Sequence, residues 1–191
     1  MDQVKLAKVA KGLNLLFISG ILAMMGMFVP ILGLVVICGN ICALIFMQSC
    51  HRNYMFALAA TLLRTVTTIL AAMKAGLAVG TIAGIAALVF SILEIGLICL
   101  GTEELVRTVA TPAFPNGSHV LLVTLIGTAA RQVSAYREHV MMLAMMSEVL
   151  MLVAMIMAVV FYHKTSKVFG KAAQEKTKES ERNSDDDYDE E

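Results

Sequence analysis

Long uninterrupted runs of apolar residues, each closed by a short polar or turn-forming break, set the pattern of this chain. Five are plain: residues 13–29, 32–48, 54–73, 77–100 and 140–162. Each has the length a helix needs to cross a ~30 Å hydrocarbon core, about 20 residues. The breaks fit that reading. VPILG (29–33) carries Pro30, which disfavours helix at the residue before it, and Gly33, which permits a tight turn. SCHRN (49–53) and KAG (74–76) separate the next three runs.

One segment is ambiguous by pattern. SHVLLVTLIGTAARQVSAY (118–136) has a short apolar core interrupted by Arg131. At 3.6 residues per turn, Thr124, Gly127, Thr128, Arg131 and Ala135 share one side, away from Leu121, Leu122 and Leu125. It is either a span with an inward polar face or a helix lying in the interface. Basic residues arbitrate, because they gather on the cytoplasmic side. With six spans, Lys5, Lys8, Lys11, Arg52, Arg107 and the basic tail share one side, and only Lys74, Arg131 and Arg137 face the other. Five spans would put the basic tail outside. The pattern therefore predicts an all-α integral membrane protein, a compact bundle of about six transmembrane helices with short loops. A basic N-terminal segment (1–12) precedes the transmembrane domain (13–162), and a disordered charged tail (163–191) follows it. Both termini are expected in the cytoplasm, at the plasma (cytoplasmic) membrane.

Composition agrees. The chain is 58% hydrophobic, above the 45–50% typical of soluble domains. The lysines ahead of GLNLLFISGILAMMGMFV resemble a signal peptide's opening, but apolar character runs on into a second segment, so an uncleaved first span is expected. Four cysteines lie in or beside apolar runs and suggest no disulfide framework. No stretch outside the spans is long enough to bury a core of its own.

Charges inside the spans are the candidate chemistry, since they are costly there and mark paths or helix contacts. Arg64 interrupts LAATLLRTVTTILAAM (58–73), on a stripe with Thr61, Thr65 and Thr68. Glu148 is its expected partner: Arg64 lies 11 residues from the outer turn at 75 and Glu148 10 from the turn at 138, nearly one depth. Arg131 competes for Glu148. Glu94 is counted some 18 residues down its helix, about 10 Å deeper than Arg64, so Arg52 or Arg107 is expected to meet it instead. Gly76, Gly80 and Gly84 form a small-residue repeat expected to let a neighbouring helix approach.

Soft ligands are the other signal. Met142/Met146, Met151/Met155 and Cys38/Cys42 are i,i+4 pairs, and thioether or thiolate suits Cu(I). The methionine pairs resemble the intramembrane Met-x-x-x-Met of three-span copper transporters, whose extramembrane methionine clusters have no counterpart in the N-terminal segment. Cys50 and His51 are adjacent, a poor metal site by themselves. No nucleophile motif, phosphate loop or paired carboxylates in an aqueous cleft point to an enzyme, and no cofactor is expected. Asn116-Gly117-Ser118 has the glycosylation pattern but falls on the inner side.

The leading expectation is a non-enzymatic accessory or interaction component of a membrane complex. Its partners would be the bilayer, another membrane protein or a second copy through small-residue faces, and not nucleic acid. A small-solute or ion transporter with an Arg/Glu polar core is the alternative, and Cu(I) handling the third.

Overall fold

The structure, a computed structural model, describes residues 2–26, 29, 32–73, 77–110, 116–136 and 141–186. All six expected segments are helices: α1 (Gln3–Gly26), α2 (Leu32–Met47), α3 (Arg52–Ala72), α4 (Leu77–Arg107), α5 (Gly117–Tyr136) and α6 (Met141–Asp186). α1, α3, α4 and α6 are long and apolar enough to cross a membrane. α2 has 16 residues and reaches about 24 Å, short of the ~30 Å core. α5 has the length, 20 residues, but Ser118, His119, Arg131 and Ser134 dilute its apolar character. The chain is thus a helical-bundle membrane protein.

Consecutive helices pack against one another all the way round, and α6 closes on α1 to complete a ring while also touching α4 across it. The pairs run antiparallel. Tyr54 meets Thr102 at one end of the α3–α4 hairpin and Ala71 meets Gly80 at the other. Ala10 meets Ser166 and Gly20 meets Val159 along α1 and α6.

Burial is uneven along the ring. The apolar core gathers at the end that holds the start of α1, the junction of α2 with α3, and the end of α4. Leu6, Val9, Leu13 and Leu16 of α1 recur at three- and four-residue spacing and pack with Ala43, Leu44, Met47, Tyr54, Ile98, Leu105 and Phe169. At the opposite end Val66, Ile69, Leu70, Met73, Val79, Ile82 and Ile85 are exposed on the protein. In a bilayer those side chains meet lipid, which is as apolar as they are.

The tail departs from expectation. Residues from 163 were expected to be disordered, yet α6 continues unbroken to Asp186. A stripe explains it: Phe161, Tyr162, Thr165, Phe169 and Ala173 are all buried, at helical spacing among the lysines. Ser166 Oγ donates to the Ala10 carbonyl at 2.9 Å, and the Gln3 side-chain amide donates to the Thr177 hydroxyl. With Leu6, Leu105 and Val106, this stripe makes a buried core beyond the apolar runs, where none was expected. α6 has 46 residues and runs about 69 Å, more than twice a membrane's apolar thickness. The acidic residues 187–191, also assigned to the tail, lie outside the described residues.

Local chemistry fixes the junctions. His51 caps α3, its Nδ1 accepting from the Asn53 amide at 3.2 Å, and its Nε2 stands 3.3 Å from a Glu104 oxygen. Glu103 holds the start of α5: its Oε2 accepts from the Ser118 amide at 3.0 Å and from the Ser118 hydroxyl at 2.8 Å. Its Oε1 takes Arg107 Nη2 at 2.8 Å. A carboxylate at a helix N-terminus meets the positive end of the helix dipole. Gly117 lets that first turn of α5 lie on the Cys99 carbonyl, where a Cβ would collide with backbone.

Candidate functional site

The charges pair differently from the leading sequence-based expectation, with the competing partner Arg131 taking Glu148. Arg64 Nη1 lies 2.8 Å from Glu94 Oε2, and Arg131 Nε lies 3.4 Å from Glu148 Oε1. The expected Arg64–Glu148 pair does not form. Neither Arg52 nor Arg107 meets Glu94: Arg52 lies over the Phe56 ring and Arg107 bonds Glu103.

The reason is register. Counting depth from the connecting loop assumes that both helices leave it at one level. The far end of the hairpin tells otherwise, because Tyr54 Oη and Thr102 Oγ1 are hydrogen-bonded at 2.9 Å. Arg64 is ten residues on from Tyr54 and Glu94 eight back from Thr102, rises of about 15 and 12 Å. The arginine side chain covers the remaining 3 Å.

Glu94 is almost wholly buried, with 2% of its side chain exposed, against 23% for Arg64. The approach of the two groups is an ion contact out of line for a hydrogen bond, and Glu94 Oε2 accepts none among the described residues. The Thr61 hydroxyl and the Asn40 amide stand beside the carboxyl. Thr61 is itself buried and donates to the Ala57 carbonyl at 2.9 Å. Of the other threonines in the stripe, Thr65 donates to the Thr61 carbonyl and Thr68, exposed, to the Arg64 carbonyl. Those two hydroxyls bond their own helix.

A cavity of about 220 Å³ opens beside the pair at the centre of the ring. Five helices line it: α1 with Ser19 and Ala23, α2 with Val36 and Asn40, α3 with Arg64, α4 with Glu94 and Ile98, and α6 with Met155 and Tyr162. There is room for a small organic solute or several waters, and polar groups enough to hold either. The polar side chains Ser19, Asn40, Arg64, Glu94 and Tyr162 come from five different helices, so the site is complete only when α6 closes the ring.

Other candidates lie elsewhere. Arg131 and Glu148 are both more than half exposed and do not line this cavity. Gly76 lies outside the described residues; a Cβ added at Gly80 would stand an ordinary 4.0 Å from the Ala71 carbonyl and one added at Gly84 would meet nothing within 4 Å, so the expected packing face is not a close contact within the chain. The soft ligands scatter. Cys38 and Cys42 are exposed, as are Met142 and Met146. Met151 touches Gly127 and receives the Thr128 hydroxyl at 3.8 Å, while Met155 faces the cavity. These pairs do not converge on one point.

Sequence reasoning overlooked Asn40, Ser19 and Tyr162. Asn40 had a visible signal: an amide in the middle of the apolar helix LGLVVICGNICALIFM, where a polar group needs a partner. Comparison with protein-family models, with curated proteins and with solved structures gives no significant match.

Proposed function

We propose that this is a non-enzymatic solute-binding membrane protein, a carrier or the solute-binding subunit of one, whose site is the central cavity. The observation that carries this reading is the meeting of Glu94, Arg64, Asn40 and Ser19 from four helices on one hollow, with a buried carboxylate oxygen that accepts no hydrogen bond. An ionisable group kept at mid-bundle is a functional site by default, and Glu94 Oε2, in ion contact with Arg64 at 2.8 Å, keeps acceptor capacity for a ligand's hydrogen bond. The site holds one acid and one base, which suits a polar solute of the cavity's size. The gathering of Lys5, Lys8, Lys11, Arg52 and Arg107 at the end of the ring that carries the second half of α6 supports cytoplasmic termini in the plasma (cytoplasmic) membrane.

The test is native mass spectrometry of the full chain released from nanodiscs, beside flux of a panel of small polar solutes into proteoliposomes. The wild type is expected to retain and pass a solute. The Asn40→Leu chain, which removes the amide and narrows the hollow, and the Arg64→Gln/Glu94→Gln chain should assemble but lose it. Retention untouched in both variants would sink the reading.

A second reading, an accessory component working through contacts, is favoured by the continuation of α6, whose exposed Lys167, Lys171 and Glu175 project from a packed helix. A stoichiometric protein partner in the same mass spectra, with no small molecule, would favour it over the first.

A further inference from the structure

Resting on the reading of the central cavity as a solute site, we infer that Arg64 is a tethered occupant of that site and that its true ligand is a small organic cation bearing N–H groups, an ammonium or amidinium. The two members of the ion pair are not equivalent. Glu94 has 2% of its side chain exposed, with Thr61 and Asn40 beside its carboxyl, so it has little room to move. Arg64 has 23% exposed on a long flexible stem, so its guanidinium can withdraw without moving a helix.

The fit is incomplete too. Arg64 neutralises Glu94 at 2.8 Å but gives its Oε2 no aligned hydrogen bond, although a guanidinium facing a carboxylate normally forms two. A free cation entering the cavity can align on Oε2 where the tethered one does not, with the Asn40 amide within the same hollow. Glu94 keeps one cation beside it throughout, first Arg64 and then the solute, while Arg64 carries its own charge with it as it withdraws, so the occupied site holds one positive charge more than the empty one. A buried carboxylate left alone would cost several kcal/mol, so the arginine holds the empty site closed at neutral charge. A bare metal cation is the poorer match, because Arg64 already supplies the charge and only the aligned N–H is missing.

The consequence is counterintuitive. Removing Arg64 should strengthen binding of the cation, whereas an arginine that itself binds the solute would weaken it. The experiment uses the full chain in nanodiscs, with methylguanidinium chloride and methylammonium chloride as probes and sodium chloride at equal concentration as control. Arg64→Gln is expected to bind methylguanidinium about tenfold or more tightly than the wild type, because a tethered competitor acts at a high effective concentration. Its melting temperature should rise with probe and not with sodium chloride.

Glu94→Gln should abolish both effects. The double variant Arg64→Gln/Glu94→Gln removes both charges, and its melting temperature should ignore the probe. Arg64→Gln that neither binds nor is stabilised by the probes overturns the tethered-occupant inference, and stabilisation equal in sodium chloride overturns the organic cation. If Asn40→Leu and Arg64→Gln/Glu94→Gln both retain the solutes that the wild type retains, the cavity reading itself has failed. If the wild type binds a solute that Arg64→Gln loses, the cavity stands and the arginine is its ligand.

Discussion

Tyr54 Oη and Thr102 Oγ1 lie 2.9 Å apart with both side chains fully buried, and this bond marks the register at which α3 packs on α4. Sliding the hairpin by a turn would move Arg64 about 5 Å from Glu94. Tyr54→Phe leaves the Thr102 hydroxyl without its partner and should cost about 0.6–2 kcal/mol, the range for hydrogen bonds between membrane helices. Thr102→Val should cost a similar amount. The double variant should cost less than the sum, because no orphaned group remains. Thermal unfolding of all three in one detergent reads the coupling.

The ion pair predicts an asymmetry. Arg64→Gln strands a carboxylate that is 2% exposed, whereas Glu94→Gln leaves an arginine with 23% of its side chain exposed. Arg64→Gln should therefore destabilise by about 3–5 kcal/mol, the cost of breaking a buried pair, and Glu94→Gln by less. Arg64→Gln/Glu94→Gln should recover much of the loss. Equal melting temperatures for the two single variants would contradict the burial difference.

At the start of α5, Glu103→Gln gives up the charge on bonds to Ser118 and to Arg107. A loss of about 1.5–3 kcal/mol is expected, typical of a hydrogen bond to a charged group. Glu104→Gln, whose carboxylate is largely exposed beside His51, should change stability little. The pair of variants, measured side by side, separates a cap from a surface charge.

Gly117→Ala tests backbone proximity. Its Cβ would meet the Cys99 carbonyl, which cannot turn away as a side chain could. Overpacking of this kind costs about 1–3 kcal/mol. Gly84→Ala, with nothing within 4 Å, should be neutral or slightly stabilising in its helix.

Beyond the apolar run, α6 should behave as packed helix. Amides between residues 165 and 177 are expected to exchange slowly with deuterium, as buried helix does and a solvated tail does not. Phe169→Ala should cost about 3–5 kcal/mol, since the ring is fully buried, and should release that protection. Fast exchange across the whole segment would contradict its packing on α1.

How far the sequence reached depends on what each signal measures. Hydropathy located all six helices, because span length is set by the bilayer. It stopped each one at the first cluster of charge, and so missed the continuation of α1, α4 and α6. The stripe that continues α6, Phe161 to Ala173, was in view, but its lysines read as solvation. Arg64 and Glu94 were both singled out as buried charges. Their pairing was not legible, because helix register depends on contacts such as Tyr54–Thr102 that no single helix encodes. Asn40 and Ser19 were overlooked because one polar residue among apolar neighbours leaves composition unchanged.

The closure of the ring by its last helix bears on how the molecule is made. The flank of α1 that carries Ala10, Phe17 and Gly20 is covered by Ser166, His163 and Val159, residues translated some 140–160 positions later. At roughly 5–20 residues per second, α1 waits on the order of ten seconds or longer in the membrane before its neighbour arrives. Until then the Ala10 carbonyl, Phe17 and Gly20 stand open to lipid or to the insertion machinery, and the cavity lacks the wall that Met155 and Tyr162 supply. A chain stalled before α6 would therefore present an unfinished, partly polar seam, which is what membrane quality control recognises in an orphaned protein.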